Sequence, residues 1–174
     1  AGNISTTTSS GIGFRWDVAL PTAAVTVPTP TAFMNMTSLM ALSGTARDPN
    51  PNVSDPDNLS SVNDKVQLTL QKQLNGSYFN GSNFGSGSPV WLSAVVNESA
   101  PGIANWSYSS PVPSDLTNSL ISGRYTVIVR SSDTAGNVQG VWTAAGSSFT
   151  FTVDADPPQI VIAAPNAAAF TPTT

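Results

Sequence analysis

The chain has 174 residues, of which 40% are hydrophobic, and it contains neither histidine nor cysteine. These absences exclude disulfides, thiol nucleophiles, zinc sites built from imidazole or thiolate, and the Ser-His-Asp and Cys-His catalytic arrangements. The net charge is −4 and the six cations are scattered along the chain, so the basic footprint of a nucleic-acid-binding protein is missing and no nucleic-acid partner is expected.

The low charge density indicates where the protein works. Only 9% of the residues are charged, against about 25% in ordinary soluble proteins, and Ser, Thr, Asn and Gly supply the solvation instead. This balance favours a wall, fibre or surface protein, so we expect an extracellular or cell-surface location. No apolar run approaches the roughly 18 residues of a membrane span. The polar start of the chain lacks signal-peptide features, which indicates a mature form or an excerpt.

Apolar and polar residues alternate with a period of two in several segments. The clearest examples are residues 66–70, 125–130 and 149–153, in which Val, Ile, Phe, Tyr, Leu and Thr dominate. Strict alternation places one face of a strand on a core and the other face in water. In chain order, strands are predicted near residues 12–18, 23–27, 38–46, 64–73, 76–80, 90–96, 104–109, 123–131, 147–153 and 159–163.

Turn residues separate these predicted strands. Asn75-Gly76 is a strong signal for a two-residue hairpin turn, and three prolines between residues 49 and 56 mark a polar segment that cannot form a central strand. Seven or more short strands with frequent turns predict an all-β fold, an immunoglobulin-like antiparallel β-sandwich. The predicted core consists of Leu42, Val66, Leu68, Leu70, Trp91, Trp106, Tyr125, Val127, Val129, Phe149 and Phe151.

A weak internal repeat relates the two ends of the chain. Its period is about 135–137 residues, with a two-residue slip in the linker. Such a repeat is typical of a tandem array, or of subunits that exchange a terminal strand. The matching segments are 14–18 with 149–153, 21–25 with 158–162, and 28–33 with 165–170.

The repeat predicts three parts of the chain. Residues 20–157 form a complete immunoglobulin-like β-sandwich. Residues 1–19 are an N-terminal extension that resembles a closing strand, and we expect it to pair with a neighbouring unit. Residues 158–174 are the start of a following unit or an exchanged strand.

Several segments resemble the immunoglobulin-like repeat domains of large bacterial secreted and cell-surface proteins. Residues 42–48 are similar to their second strand, and residues 123–137 to their penultimate strand and the Asp-x-Ala-Gly-Asn loop that follows it. Residues 151–154 with Pro157-Pro158 resemble the closing strand and the linker between modules. The resemblance implies a structural or adhesive role, of the adhesin or appendage stalk type, without an activity of the module's own.

Hard oxygen donors occur in two of the predicted loops. Asp133 and Asn137 lie between the last two strands of the sandwich. Asp48, Asp55 and Asp57 follow its second strand. In an immunoglobulin-like sandwich these two loops share one end, so the five residues are a candidate Ca²⁺ site. Alternatively, Asp and Asn serve turn geometry, and this simpler interpretation requires no cofactor and predicts that calcium hardly changes the melting temperature.

We expect no enzymatic activity, because histidine is absent and the carboxylates, Glu98 and nine aspartates, show no pair near an aromatic groove. The preferred hypothesis is a structural extracellular module, the repeating unit of a surface filament, sheath or adhesin stalk. It would associate with identical or tandem units through strand pairing or linker contacts. The alternative is an accessory module that binds a carbohydrate or a receptor on a host surface, with an aromatic platform in the insertion at residues 75–87.

Overall fold

In a computed structural model of the chain, the described residues are 17–35, 41–49, 66–100, 102–109, 120–133, 135–141 and 146–162. They form eleven β-strands, and none of them belongs to a helix that could span a membrane. The strands are β1 (Thr22–Val27), β2 (Phe33–Met34), β3 (Leu42–Arg47), β4 (Val66–Lys72), β5 (Tyr78–Phe79), β6 (Phe84–Ser86), β7 (Leu92–Ser93), β8 (Val95–Ala100), β9 (Ile103–Tyr108), β10 (Gly123–Ser131) and β11 (Ser148–Val153).

The strands form two sheets. The first has the order β1-β3-β9-β8 and is antiparallel throughout. The second has the order β2-β11-β10-β4-β5-β6, with β7 also paired to β4. Its pairs are antiparallel except β2 with β11, which run parallel. The chain passes from the first sheet to the second between β1 and β2, where the Val27–Pro28 peptide bond is cis.

One hydrophobic core lies between the two sheets. Alternate residues of β3 and β9 face it from one side and alternate residues of β4, β10 and β11 face it from the other, as a period of two requires. The all-β, immunoglobulin-like sandwich predicted from the sequence is therefore confirmed. The predicted core residues that are buried are Leu42, Val66, Leu68, Leu70, Trp106, Tyr125, Val127, Val129 and Phe151, and Phe149 packs against them while partly exposed.

The prediction for Trp91 is wrong. This side chain is only half-buried, and the guanidinium carbon of Arg130 lies 3.9 Å from the centre of one of its rings. Because Tyr125, Val127 and Val129 point inward from β10, Arg130 points to the outer face of the second sheet, where it also donates to Gln67 Oε1 at 2.8 Å. Partial burial there lowers the pKa of Arg130.

The predicted strand at residues 159–163 is not formed in the part of it that the structure describes, residues 159–162. Residues 160–162 are exposed, and the segment pairs with none of the strands in the described part of the chain. The predicted strand at 12–18 lies almost wholly outside the described residues. The turn predicted at Asn75-Gly76 does join β4 to β5, but it is not a two-residue turn. Gln71 pairs with Tyr78 and Lys72 N donates to Ser77 O, which leaves the four residues 73–76 in the loop.

Tyr125 fastens the loop before β10 to the core. Its hydroxyl donates to Ile121 O at 2.9 Å and accepts from Ile121 N at 3.0 Å, while its ring stacks on Phe151. Burial is the main cause that raises the pKa of the phenol above its usual 10.0. This tie is the tyrosine corner of immunoglobulin-like folds.

We expect Tyr125→Phe to lower the free energy of unfolding by about 1–2 kcal/mol, because two hydrogen bonds are lost while the ring packing is kept. The raised pKa means that the folded state holds the phenolic proton more tightly. Its contribution to stability is present below pH 10 and is lost as the pH rises through the folded-state pKa. Urea unfolding between pH 7 and 11 should therefore show a shallower alkaline loss in the variant, and an identical loss would contradict this.

Candidate functional site at the entry pole

The chain enters the sandwich at one end, which we call the entry pole. It contains the start of β1, the end of β3, the end of β10 and the described residues of the loop that follows β10, 132–133 and 135–139. Gln139 N donates to Ser131 O at 2.9 Å and Gln139 Oε1 accepts from Ala23 N at 2.9 Å, so the loop lies against the start of β1. Residues that are distant in sequence are therefore brought together here.

Three carboxylates meet at the entry pole. Asp17 precedes β1, Asp48 directly follows β3, and Asp133 follows β10. One carboxylate oxygen from each lies within 4.8 Å of the others. We call these three residues the carboxylate cluster.

The cluster is mostly shielded from water. Asp48 is 5% exposed and Asp133 is 3% exposed, whereas Asp17 is partly exposed. Asp17 Oδ1 accepts from Ala19 N at 2.8 Å, but Asp17 Oδ2 is buried and has no hydrogen-bond partner among the described residues. Burying charged groups of one sign is unfavourable unless they are protonated, paired or bound to a cation.

Asn137 closes the loop that carries Asp133. Its backbone N donates to Asp133 Oδ1 and its Nδ2 to Asp133 Oδ2, both at 2.8 Å. The same Nδ2 lies 3.2 Å from Asp17 O, to which it donates. Gly136 has a φ of 91°, a left-handed conformation that favours glycine. Asp133 and Asn137 thus form a hydrogen-bonded turn that also holds the segment before β1.

The predicted ligands are only partly brought together. Asp48, Asp133 and Asn137 meet at the entry pole as expected, while Asp55 and Asp57 lie outside the described residues. Asp17 was not predicted as a ligand, because the match of residues 14–18 to the closing strand places it within a strand. The donors in the described cluster are hard carboxylate oxygens, which suit Ca²⁺ with its 6–8 oxygen ligands.

Gln139 forms a buried clasp beside the cluster. Its Oε1 accepts from Ala23 N and its Nε2 donates to Ser147 Oγ at 2.8 Å and to Val141 O at 3.0 Å. Ser147 Oγ in turn donates to Ala23 O at 2.8 Å. The outer edge of β1 is therefore satisfied at Ala23 by the side chains of Gln139 and Ser147, and at Val25 by the backbone carbonyl of Gly146.

Two of the three aromatic side chains in the insertion proposed as a sugar platform, Phe79 and Phe84, pack against the core. Phe79 is buried, and the ring centre of Phe84 lies 5.4 Å from that of Phe79 and 5.3 Å from that of Tyr125. Among the described aromatic residues, Phe33 is the exposed one, and it lies in a groove of about 540 Å³ that Arg124, Thr150 and Thr152 also line. This groove lies along β2, β11 and β10.

Comparison with models of known protein families gives no match, and comparison with curated proteins gives none either. Among solved structures, the chain is similar to CopC from Methylosinus trichosporium OB3b, with 13% sequence identity and a TM-score of 0.42. The aligned region covers 80% of this chain and 100% of that one. A likeness at this level says nothing about the ligands or the function of the present chain.

Proposed function

We propose that this protein is a structural, non-catalytic module of an extracellular filament, sheath or stalk, joined end to end with its neighbours. The observation that carries the proposal is that the chain enters and leaves the sandwich at opposite ends. β1 begins beside Gln139 and Ser131, at the end of β10. β11 ends at Val153, which pairs with Gly123 at the start of β10.

This geometry suits a linear array. The nine residues of β10 separate the two ends by roughly 27–30 Å at the usual rise of a strand. At the exit, Ala155 N donates to Ser122 Oγ at 2.9 Å, which directs the chain away from the last strand. Units connected at these opposite ends form a linear array. The paired strands of each unit then run along the axis of that array.

Electron microscopy of the purified protein tests this proposal. We expect particles joined at their ends into strings of one particle width. Dispersed compact particles at millimolar chain concentration, without contacts between ends, would show that the module does not assemble in this way.

A binding module remains the alternative. The observation in its favour is the groove beside exposed Phe33, where an aromatic face, the Arg124 guanidinium and threonine hydroxyls are the groups that proteins use to hold a sugar. Binding of soluble oligosaccharides that Phe33→Ala abolishes, without association of the ends, would favour this function over assembly.

We also propose that the carboxylate cluster binds Ca²⁺ and stiffens the entry pole. Turn geometry explains Asp133 and Asn137, but it does not explain why Asp17 and Asp48 are brought to the same place. Nor does it explain the buried Asp17 Oδ2, which has no hydrogen-bond donor among the described residues. A divalent cation would offset the like charges and supply the missing partner.

If Ca²⁺ binds the folded state, calcium at 100 times its dissociation constant should add about 2.7 kcal/mol to the free energy of unfolding. For a chain of this length that corresponds to a rise of roughly 5–10 °C in melting temperature, the opposite of the expectation from turn geometry. Asp48→Asn should abolish the rise, and the matched change of an exposed aspartate, Asp156→Asn, should leave it intact. No rise at millimolar calcium would sustain the turn interpretation instead.

A further inference from the structure

Two short turns of the chain contain the same hydrogen bond. Ala19 N donates to Asp17 Oδ1 at 2.8 Å, in the turn that leads into β1. Asp156 N donates to Asp154 Oδ1 at 3.1 Å, in the turn that follows β11. In each case an aspartate side-chain oxygen accepts a hydrogen bond from the backbone N–H two residues later. This hydrogen bond stabilises a turn, at which the chain changes direction.

Both aspartates precede a proline by four residues, Pro21 in the first case and Pro158 in the second. Residues 154–162 therefore align with residues 17–25 without a gap, at the spacing of 137 that also relates the two prolines. The two-residue slip in the linker arises only when residues 14–18 are matched to the closing strand. With the turns aligned, Asp154 corresponds to Asp17.

The alignment also explains an exposed apolar segment. In β1, Ala23 and Val25 are buried and face the core. Their counterparts are Ile160 and Ile162, which are 88% and 80% exposed here, and Val161 between them is 85% exposed. Three consecutive large apolar side chains in water are the mark of a surface that another element covers.

We propose that residues 154–162 are the entry strand of the next sandwich in the array, where they fill the position that residues 17–25 fill here. Asp154 joins that sandwich's carboxylate cluster, and Ile160 and Ile162 face its core. The inference rests on the proposed function, because it names the partner that each module meets at its exit. That partner is a second sandwich of this fold, in which residues 154–162 displace that sandwich's own residues 17–25 from the entry-strand position.

A graft tests the equivalence directly. Residues 17–25 of the full chain are replaced by the sequence of residues 154–162. The residue at position 23 keeps the N–H that donates to Gln139 Oε1, and the residue at position 25 keeps the N–H that donates to Gly146 O. We expect cooperative unfolding with a melting temperature lower by no more than roughly 10 °C, since isoleucine is larger than Ala23. Restoring alanine at position 23 of the graft should recover most of that loss.

The matched control is a graft shifted by two residues, in which residues 152–160 replace residues 17–25. It places Pro158 at position 23, where proline has no N–H for Gln139 Oε1. We expect this chain not to fold cooperatively. If the in-register graft, with isoleucine or with alanine at position 23, is no more stable than the shifted one, the inference is wrong. If it folds but microscopy shows no end-to-end association, the strand assignment stands and the proposed function fails.

Discussion

Replacing Gln139 by leucine should lower the free energy of unfolding by about 3–5 kcal/mol, one of the largest effects of a single substitution in this chain. The side chain is buried. Its amide accepts a hydrogen bond from Ala23 N and donates to Val141 O and Ser147 Oγ. Leucine has a similar volume, so packing changes little. The buried donors and acceptors lose their partners, however, and each such group costs about 1–3 kcal/mol. Urea unfolding measures the loss.

Gln139→Glu distinguishes the contribution of the amide's acceptor oxygen from that of its donor nitrogen. A carboxylate still accepts from Ala23 N, but it cannot donate to Ser147 Oγ or Val141 O, and its charge is buried. Burial favours the protonated form, so the variant's penalty should shrink as the pH falls towards about 4.3, the usual pKa of a glutamate. The leucine variant should show no such recovery.

The exposed Gln73, which donates to Thr126 Oγ1, supplies the matched control. Gln73→Leu should change the free energy of unfolding by no more than about 0.5 kcal/mol. Equal effects of the two leucine substitutions would show that the clasp at the entry pole contributes no more than a surface hydrogen bond.

Gly44→Ala should have a similarly large effect, a loss of about 3–5 kcal/mol, because of steric overlap together with disrupted hydrogen bonds. A Cβ on Gly44 would lie 1.9 Å from Ala24 O and 2.7 Å from two carbons of the Trp106 indole. The indole Nε1 donates to Ala24 O at 3.1 Å and to Thr45 O at 3.2 Å. The first contact is with backbone, so it cannot be relieved by a rotamer change, and β1 must separate from β3.

Gly87→Ala is the control for this substitution. No atom lies within 4 Å of the Cβ that it adds, and the residue is exposed. Its melting temperature should match that of the parent, whereas Gly44→Ala should melt at least roughly 6 °C lower. A change below 1 kcal/mol for Gly44→Ala would mean that the close approach of β1, β3 and the indole is not needed.

The central strands could be predicted closely from the sequence. The prediction for β10, residues 123–131, coincides with Gly123–Ser131, and that for β11 differs by one residue. Alternation of side chains is a local property of a half-buried strand, so it is visible wherever one face meets the core. β2 and β6 were not predicted, because two or three residues are too few to show a period.

The candidate site was less accessible to prediction. Asp48, Asp133 and Asn137 could be placed at one end because loops of a sandwich cluster there. Asp17 could not, since its place depends on the hydrogen bond from Asn137, 120 residues away. The role of Gln139 could not be predicted either, because its partner Ala23 lies 116 residues before it in the sequence.

The sequence by itself determined the all-β class, the alternating core, the position of the turn at Asn75-Gly76 and the absence of histidine and thiol chemistry. Those properties depend on composition and on neighbours within a few residues of each other. Only the tertiary structure decided that Trp91 lies on the outer face, that Ile160 and Ile162 are left in water, and that three aspartates share one pole. Those outcomes depend on which strands lie side by side, and many different sequences share the same local pattern without sharing that arrangement.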